Sequence, residues 1–418
     1  MNQSVSLETS KLKNPYVSRF LLVESGSPVR LDLEMALQHS FPTADIQHFY
    51  CEHSVDWPEW LGQGYDLVIV RCDVHMAEAA QWLESIRQVD KFNRRRPLLV
   101  LMLEQHEVQD DWFQVADLCL SSQSTASELA LRMVSLLTVR RVLQDYPLHL
   151  PGWKLLEVLH NSDNAVIFLA EQAQGQRAVI KRFKFAVKGV DRRAFASFIA
   201  DTNSLARLQP PGLVKMLSAG VSEDAVYLLM EYVEGENLKQ ILADLGKNMG
   251  EQDTRQLLSW FRQIAETLGV LHALSMLHRD LKTSNIFIRS DGTPVLLDFG
   301  IEGRLLLDTG FLREDEIYCT PFYVSPERIT GEPASVQSDL YALGVLLYEL
   351  LLGEKPYLGS SLAEVLQKHV FDPIPQLPVQ FAVYQPLIDR LLAKSPEWRM
   401  QSVDEVLTCL DTLESSIS

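Results

Sequence analysis

Cysteine is scarce in this sequence, with five residues scattered along 418. Their spacing fits no metal site, and an odd number cannot all pair in disulfides. We therefore expect reduced thiols, as in proteins of the cytoplasm. Long apolar runs are also missing, since none approaches the roughly 20 residues that a membrane span needs. The polar N-terminus has no signal-peptide core, so the expectation is a cytoplasmic protein without a membrane span.

Basic residues are in the minority, with 38 Lys and Arg against 55 Asp and Glu, a net charge of -17. A chain of this charge repels the phosphates of nucleic acids and anionic lipids. The basic cluster at residues 94–96 precedes an apolar run and is best explained as a solvated loop. Binding to DNA or RNA is therefore not expected.

Apolar runs alternate with helical patterns between residues 19 and 145. The expected strands are residues 19–23, 45–50, 67–70, 97–103 and 117–120. Apolar residues recur at a spacing of three or four near residues 28–40, 76–88 and 124–144, which indicates helices. Such alternation predicts a parallel, doubly wound sheet.

Two mainly apolar segments, residues 20–24 and 65–70, fall on the first and third expected strands. With this order of elements, residues 1–145 resemble the receiver domain of response regulators, a five-stranded flavodoxin-like α/β fold. The resemblance implies a domain that helps to regulate the part of the chain that follows it.

The chemistry of a receiver is missing from this segment. Arg71 stands where the family has its phospho-accepting aspartate, and Met102 and Ser122 stand where it has a hydroxyl residue and a lysine. Asp73, two residues further on, is the weaker alternative acceptor, since the partner groups are gone as well. We expect a pseudo-receiver that docks a signalling partner or associates with itself.

Residues 146–152 (YPLHLPG) form the link to the rest of the chain. Two prolines stiffen this short segment. We therefore expect the pseudo-receiver to lean on the domain that follows.

The most specific pattern combines HRDLKTSN at residues 278–285 with DFG at residues 298–300. Asp280 and Asn285 stand five residues apart, and a second carboxylate, Asp298, follows a turn and a short apolar run. Phosphoryl transfer needs this set of groups. One carboxylate receives a hydroxyl proton, while an amide oxygen and a second carboxylate hold magnesium on the phosphates.

On these motifs, residues 153–418 resemble the bacterial eukaryotic-like serine/threonine protein kinases, which have an α+β fold of two lobes. The resemblance implies ATP and Mg²⁺ as cofactors and a protein hydroxyl as the substrate. Asp280 would accept the hydroxyl proton, and Lys282 would neutralise the transferring phosphate. Asn285 and Asp298 would bind the magnesium.

Lys181 ends the run AVIK, which matches the lysine motif on the third strand of the kinase fold. It would hold the α- and β-phosphates of ATP. Its partner in the family is a helical glutamate, and Asp201 stands at that position. Aspartate keeps the charge but is one methylene shorter, so the expected ion pair needs the helix to lie slightly closer.

Glycine is absent from the loop where the family has G-x-G-x-x-G-x-V, because residues 160–167 read HNSDNAVI. Glycine there lets backbone amides press against phosphate oxygens. Ser162 and Ala165 are small enough for a hairpin, whereas Asp163 would repel a phosphate if it pointed inward. This departure favours the alternative interpretation, a pseudokinase scaffold that binds a partner and transfers nothing.

An adenine slot is the last part of the expected nucleotide site. Its expected lining is Ile167, Val179, Met230, Glu231, Val233 and Phe287. Adenine would exchange hydrogen bonds with the backbone at Glu231 and Val233, so these side chains need no special chemistry. Val179 and Phe287 are larger than the usual residues of the family, which predicts a tight slot.

Structural motifs of the kinase fold complete the resemblance. Asp339 would hold the backbone of the loop at residues 278–285, and Arg399 would pair with Glu327. Residues 319–327 resemble the segment that docks a polypeptide substrate, which disfavours a kinase of small molecules.

Overall fold

The computed structural model describes residues 19–24, 31–50, 65–72, 98–103, 118–121, 124–162, 164–186, 192–246, 250–297 and 321–417. These residues form two compact units, which divide after residue 147 except that residues 155–158 group with the first unit. Across the described ranges, no helix combines the length and the apolar character that crossing a bilayer requires.

The first unit contains a parallel sheet of five strands. The strands are β1 (Arg19–Glu24), β2 (Asp45–Tyr50), β3 (Leu67–Cys72), β4 (Leu98–Leu103) and β5 (Leu118–Ser121). Their order across the sheet is β2-β1-β3-β4-β5. Helices α1 (Leu31–Ser40) and α2 (Ala126–Asp145) pack against each other. Alternate strand residues such as Phe20, Ile69 and Met102 share one buried cluster with both helices, as the period of a strand requires.

All five strands expected from the sequence are present, and their ends differ from the expectation by at most two residues. The largest difference is β3, which continues to Cys72 because Arg71 and Cys72 pair with Met102 and Leu103 of β4. The helices expected near residues 28–40 and 124–144 are α1 and α2. The helix expected at residues 76–88 lies outside the described residues.

A second sheet has five strands in the order β6-β7-β8-β10-β9, and apart from residues 155–158 of β6 it belongs to the second unit. These are β6 (Lys154–Asn161), β7 (Ala165–Glu171), β8 (Arg177–Ala186), β9 (Met216–Ser222) and β10 (Ala225–Glu231). Helix α3 (Arg192–Leu208) lies between β8 and β9 in the chain and packs on β9. Leu205 of this helix and Met216 of β9 are both buried in the core.

The rest of the second unit is mainly helical. Its elements are β11 (Gly235–Asn237), α4 (Leu238–Leu245), α5 (Glu251–Ala273), β12 (Ile286–Arg289), β13 (Pro294–Leu296), α6 (Pro326–Ile329), α7 (Val336–Leu352), α8 (Leu362–Phe371), α9 (Gln385–Leu391) and α10 (Val403–Ile417). Helix α7 is buried along every face from Asp339 to Leu351. A helix that is apolar all round belongs in the middle of a core, and α5 and α9 pack against it.

A buried imidazole, His369 of α8, lies among polar groups of this core. Its Nδ1 is 2.9 Å from the hydroxyl of Tyr341, and its ring centroid is 4.9 Å from that of Tyr357. Lys394 donates to the carbonyl oxygen of His369 at 2.6 Å. Burial, and after it the ammonium of Lys394, lower the pKa of His369 to about 3, although a hydrogen bond with the backbone of Phe322 opposes this.

We expect acid to destabilise the second unit through this residue. The unfolded chain protonates His369 near the ordinary pKa of 6.5, whereas the folded chain keeps it neutral down to about 3. Stability is therefore present above pH 6.5 and is lost as the pH falls. At pH 5 the loss is about 2 kcal/mol. Between pH 7 and pH 5, urea unfolding should show a smaller loss of unfolding free energy for His369→Gln than for the wild type. Equal losses would contradict the role assigned to His369.

Candidate active site

The loop between α5 and β12 brings three of the predicted site residues together. Lys282 Nζ lies 2.6 Å from Asp280 Oδ2. Asn285 donates its side-chain amide to the carbonyl oxygen of Asp280 at 2.9 Å and to Asp280 Oδ2 at 3.0 Å. A 3-10 turn (Thr283–Asn285) places Asn285 at the entry to β12. The side chains of Lys282 and Asn285 therefore both bind the carboxylate of Asp280.

Asp339 at the start of α7 holds the backbone of this loop. Its Oδ2 accepts from the N–H of His278 and its Oδ1 from the N–H of Arg279, each at 2.8 Å. His272 Nε2 lies 3.0 Å from the same Oδ2. Arg279 has a φ of +65°, which is uncommon outside glycine and needs support from its surroundings. The prediction that Asp339 holds the backbone of this loop is confirmed. Its buried carboxylate supports the unusual backbone conformation of Arg279.

Lys181 lies on β8, the middle strand of the second sheet, and its side chain is buried. It pairs with Ile167 of β7 and with Leu228 of β10. The backbone of Asp201 belongs to α3, but its side chain lies outside the described residues, as do Asp163 and Asp298 entirely. The ion pair between Lys181 and Asp201 therefore stays a prediction.

The turn that replaces the glycine-rich loop is closed by a serine. Ser162 N–H donates to the carbonyl oxygen of Ala165 at 3.0 Å, and Ser162 Oγ donates to the same oxygen at 3.1 Å. The N–H of Ala165 donates to Ser162 Oγ at 3.3 Å, so this amide is engaged within the hairpin. In the described part of residues 160–167, no residue has a positive φ. The described residues of this hairpin therefore use none of the left-handed backbone that favours glycine.

The expected adenine slot lies where β10 leaves the sheet. Met230 pairs with Val179 of β8, and Met230 and Val233 are buried in the same core against which Val179 and Phe287 pack. The N–H of Glu231 donates to the carbonyl oxygen of Lys215 at 2.9 Å. At Glu231, an adenine ring would therefore find the carbonyl oxygen as the backbone partner.

The side chain of Glu231 has a role that the sequence interpretation missed. Its Oε1 accepts from the backbone N–H of Lys215 at 2.9 Å and from the guanidinium of Arg289 at 2.6 Å. This carboxylate ties the end of β10 to the entry of β9 and to β12. Glu231 and Arg289 stand 58 residues apart, so their opposite charges are the only signal in the sequence, and many other pairs carry the same signal.

The pairing of Arg399 with Glu327 is confirmed. The guanidinium is fully buried and makes two bonds to the carboxylate, NH1 to Oε1 at 2.8 Å and NH2 to Oε2 at 3.0 Å. Arg399 also donates to the carbonyl oxygen of Gln337 at 2.6 Å. This pair fixes the end of residues 321–327, here called the docking segment. Cys319 and Thr320, which precede it, lie outside the described residues.

Comparison with known proteins finds one family that covers these features. The sequence model described as the protein kinase domain matches residues 162–408. The probable serine/threonine-protein kinase PknB of Lactococcus lactis is 30% identical over 229 residues, 54% of this chain and 36% of that protein. The serine/threonine-protein kinase PknA of Mycobacterium tuberculosis is 32% identical over 238 residues, 54% of this chain and 53% of that protein.

A third relative, the serine/threonine-protein kinase PknB of Mycobacterium leprae, is 29% identical over 269 residues, 62% of this chain and 43% of that protein. The matched part of the chain thus spans about half or less of the length of these relatives. It contains the loop with Asp280, the strand with Lys181 and the docking segment.

Proposed function

Because this chain belongs to the protein kinase family, we propose that it transfers the γ-phosphoryl group of ATP to serine or threonine hydroxyls of a protein substrate. The convergence of Asp280, Lys282 and Asn285 carries this proposal. The names of the matched relatives add the serine/threonine class.

Each of these side chains has a separate task in the transfer. The carboxylate of Asp280 receives the proton of the attacking hydroxyl as the new bond to phosphorus forms. Lys282, 2.6 Å from that carboxylate, places a positive charge where the phosphoryl group gains negative charge. The proton moves to the carboxylate oxygen. As the new bond forms, the bond between the γ-phosphorus and the oxygen that joins it to the β-phosphate breaks, and ADP leaves with that oxygen.

Magnesium bound with the ATP would supply charge neutralisation on the phosphates. Asn285 and Asp298 are the residues to hold it, since an amide oxygen and a carboxylate are ligands that magnesium prefers. Asn285 would use its oxygen, because its nitrogen donates to Asp280. The donor set therefore fits a magnesium ion.

The nucleotide would bind between the two lobes of the second unit. Lys181, with Asp201 as its partner, would hold the α- and β-phosphates. The hairpin at Ser162 and Ala165 would cover them, and adenine would lie between Val179 and Phe287. Ile167, Met230, Glu231 and Val233 would complete the lining.

We propose a receiver-like, flavodoxin-like fold for residues 1–145, with a regulatory or docking role. Its support is the strand order β2-β1-β3-β4-β5, which is that of flavodoxin-like sheets. Arg71 at the end of β3 supports a docking role rather than phosphorylation. A signalling partner or a second copy of the chain would bind to this domain. The scattered cysteines favour a cytoplasmic location for the protein.

We also propose residues 146–152 as the linker and 153–418 as the kinase domain. The linker is held on the β9–β10 hairpin, since Ser222 Oγ accepts from the N–H of His149 at 3.0 Å and donates to its carbonyl oxygen at 2.6 Å.

The proposed activity is tested by the identity of the modified residue. The purified chain would be incubated with ATP, magnesium and a mixed set of peptides that contain Ser, Thr or Tyr. We expect phosphoserine and phosphothreonine by mass spectrometry, and none when EDTA is added. Phosphotyrosine alone would overturn the substrate class. Nucleotide binding without any transfer would favour the scaffold.

A further inference from the structure

A buried hydrogen-bonded chain joins the docking segment to the loop that carries Asp280. The hydroxyl of Tyr323 contacts Oε2 of Glu349 and lies 3.1 Å from the hydroxyl of Thr283. A carboxylate can only accept, so Tyr323 donates to Glu349. The hydroxyl of Thr283 then donates to the Tyr323 oxygen. The order of donation is therefore Thr283 to Tyr323 to Glu349.

Glu349 lies near the end of α7 and is only 5% exposed. A buried carboxylate is costly unless it is paired and hydrogen-bonded. Lys355 provides the pairing, with its Nζ 3.0 Å from Oε1 of Glu349. The same ammonium lies 5.4 Å from the ring centroid of Phe322 and 5.7 Å from that of Tyr323. Its contacts fix the carboxylate against two neighbouring side chains of the docking segment.

The phenol of Tyr323 stays protonated in this setting. Burial, and after it the charge of Glu349, raise the pKa of Tyr323 far above its ordinary value. Its direction of donation is therefore the same throughout the pH range in which a cytoplasmic protein works.

Thr283 stands at the start of the 3-10 turn, between Lys282 and Asn285. We propose that Thr283, Tyr323 and Glu349 are positioning residues that couple the docking segment to this turn. Binding of a polypeptide to the docking segment would then be linked to the correct position of Lys282 and Asn285. This inference rests on the proposed kinase activity. Misplacement of reacting groups by about 1 Å can cost about 100-fold in rate. Loss of the Thr283 hydroxyl alone is therefore expected to lower kcat.

The chain offers a matched pair of variants for the test. Thr283→Val keeps the shape and removes the hydroxyl, whereas Thr283→Ser keeps the hydroxyl. We expect Thr283→Val to lower kcat by about tenfold or more, with the KM for ATP nearly unchanged, and Thr283→Ser to retain most of the activity. Tyr323→Phe should lower kcat in the same way, and the double variant should be little worse than Tyr323→Phe alone, because Tyr323→Phe already removes the bond between Thr283 and Tyr323.

Steady-state kinetics with a serine peptide, together with thermal unfolding of each variant, separate the outcomes. An active wild type with equal kcat values for the Val and Ser variants would overturn this inference alone. A wild type that transfers nothing would overturn the proposed function and this inference with it. If Thr283→Val does not fold, Tyr323→Phe decides, since an unchanged kcat in that variant would also overturn the inference.

Discussion

Asp280→Asn is expected to lower kcat by about 1,000-fold, within the range attributed to general acid–base catalysis, while the affinity for ATP stays nearly unchanged. Asparagine has the same size but cannot take the hydroxyl proton. Its amide nitrogen would also bring a donor toward Lys282 and Asn285, which both donate to this position in the wild type. Peptide phosphorylation gives kcat, and calorimetric titration gives the affinity.

The control for this result is Asp291→Asn. Asp291 lies on the exposed turn between β12 and β13, where its Oδ1 accepts from the N–H of Thr293 at 2.9 Å, and asparagine preserves that bond. We expect full activity from this variant. An Asp280→Asn variant as active as the control would contradict the role assigned to Asp280.

Arg399→Met is expected to lower the free energy of unfolding of the second unit by about 3–5 kcal/mol, as the removal of one partner from a buried ion pair does. Arg399 is 1% exposed, and loss of its guanidinium leaves Glu327 and the carbonyl oxygen of Gln337 without this donor. Urea unfolding of the full chain measures the change.

A surface pair in the same region serves as the control. Arg390 and Glu405 lie 2.9 Å apart, with side chains 52% and 40% exposed. We expect Arg390→Met to cost about 1 kcal/mol or less. A cycle that adds Glu327→Gln to Arg399→Met should show strong coupling between the two changes. Equal losses of unfolding free energy for Arg399→Met and Arg390→Met would contradict the predicted effect, and additive changes in the cycle would show that Glu327 and Arg399 do not depend on each other.

Several features of the fold could be predicted because their signals are local or belong to a specific spacing. The five strands of the first unit follow from short apolar runs that alternate with helical periodicity. The loop around Asp280 follows from the spacing of Asp280 and Asn285, to which the DFG run at residues 298–300 adds specificity. The roles of Asp339 and of Arg399 with Glu327 followed from the resemblance, and the contacts confirm them.

Other features depend on contacts between distant parts of the chain. Thr283 and Tyr323 stand 40 residues apart, and Tyr323 and Glu349 stand 26 apart. The sequence contains many other Thr, Tyr and Glu residues, so it assigns these three no partner by itself. Helix α7 and the docking segment must come together before the hydrogen-bonded chain exists.

The glycine-free hairpin lies between these cases. Its composition suggested that the turn could form, but the reason is the hydroxyl of Ser162, which binds the backbone of Ala165 across the turn. A serine can make such a bond or point to solvent, and only the backbone geometry distinguishes the two.

Transfer of label from γ-labelled ATP is the most direct test of the proposed kinase activity. The wild type, Lys181→Met and Asp298→Asn would be compared with magnesium and a protein acceptor, with and without residues 1–145. We predict that the wild type transfers label and that both substitutions abolish the transfer, while the truncation changes its rate. Label in all three full-length proteins, or in none of them although ATP binds, would contradict the claim that these residues perform phosphoryl transfer.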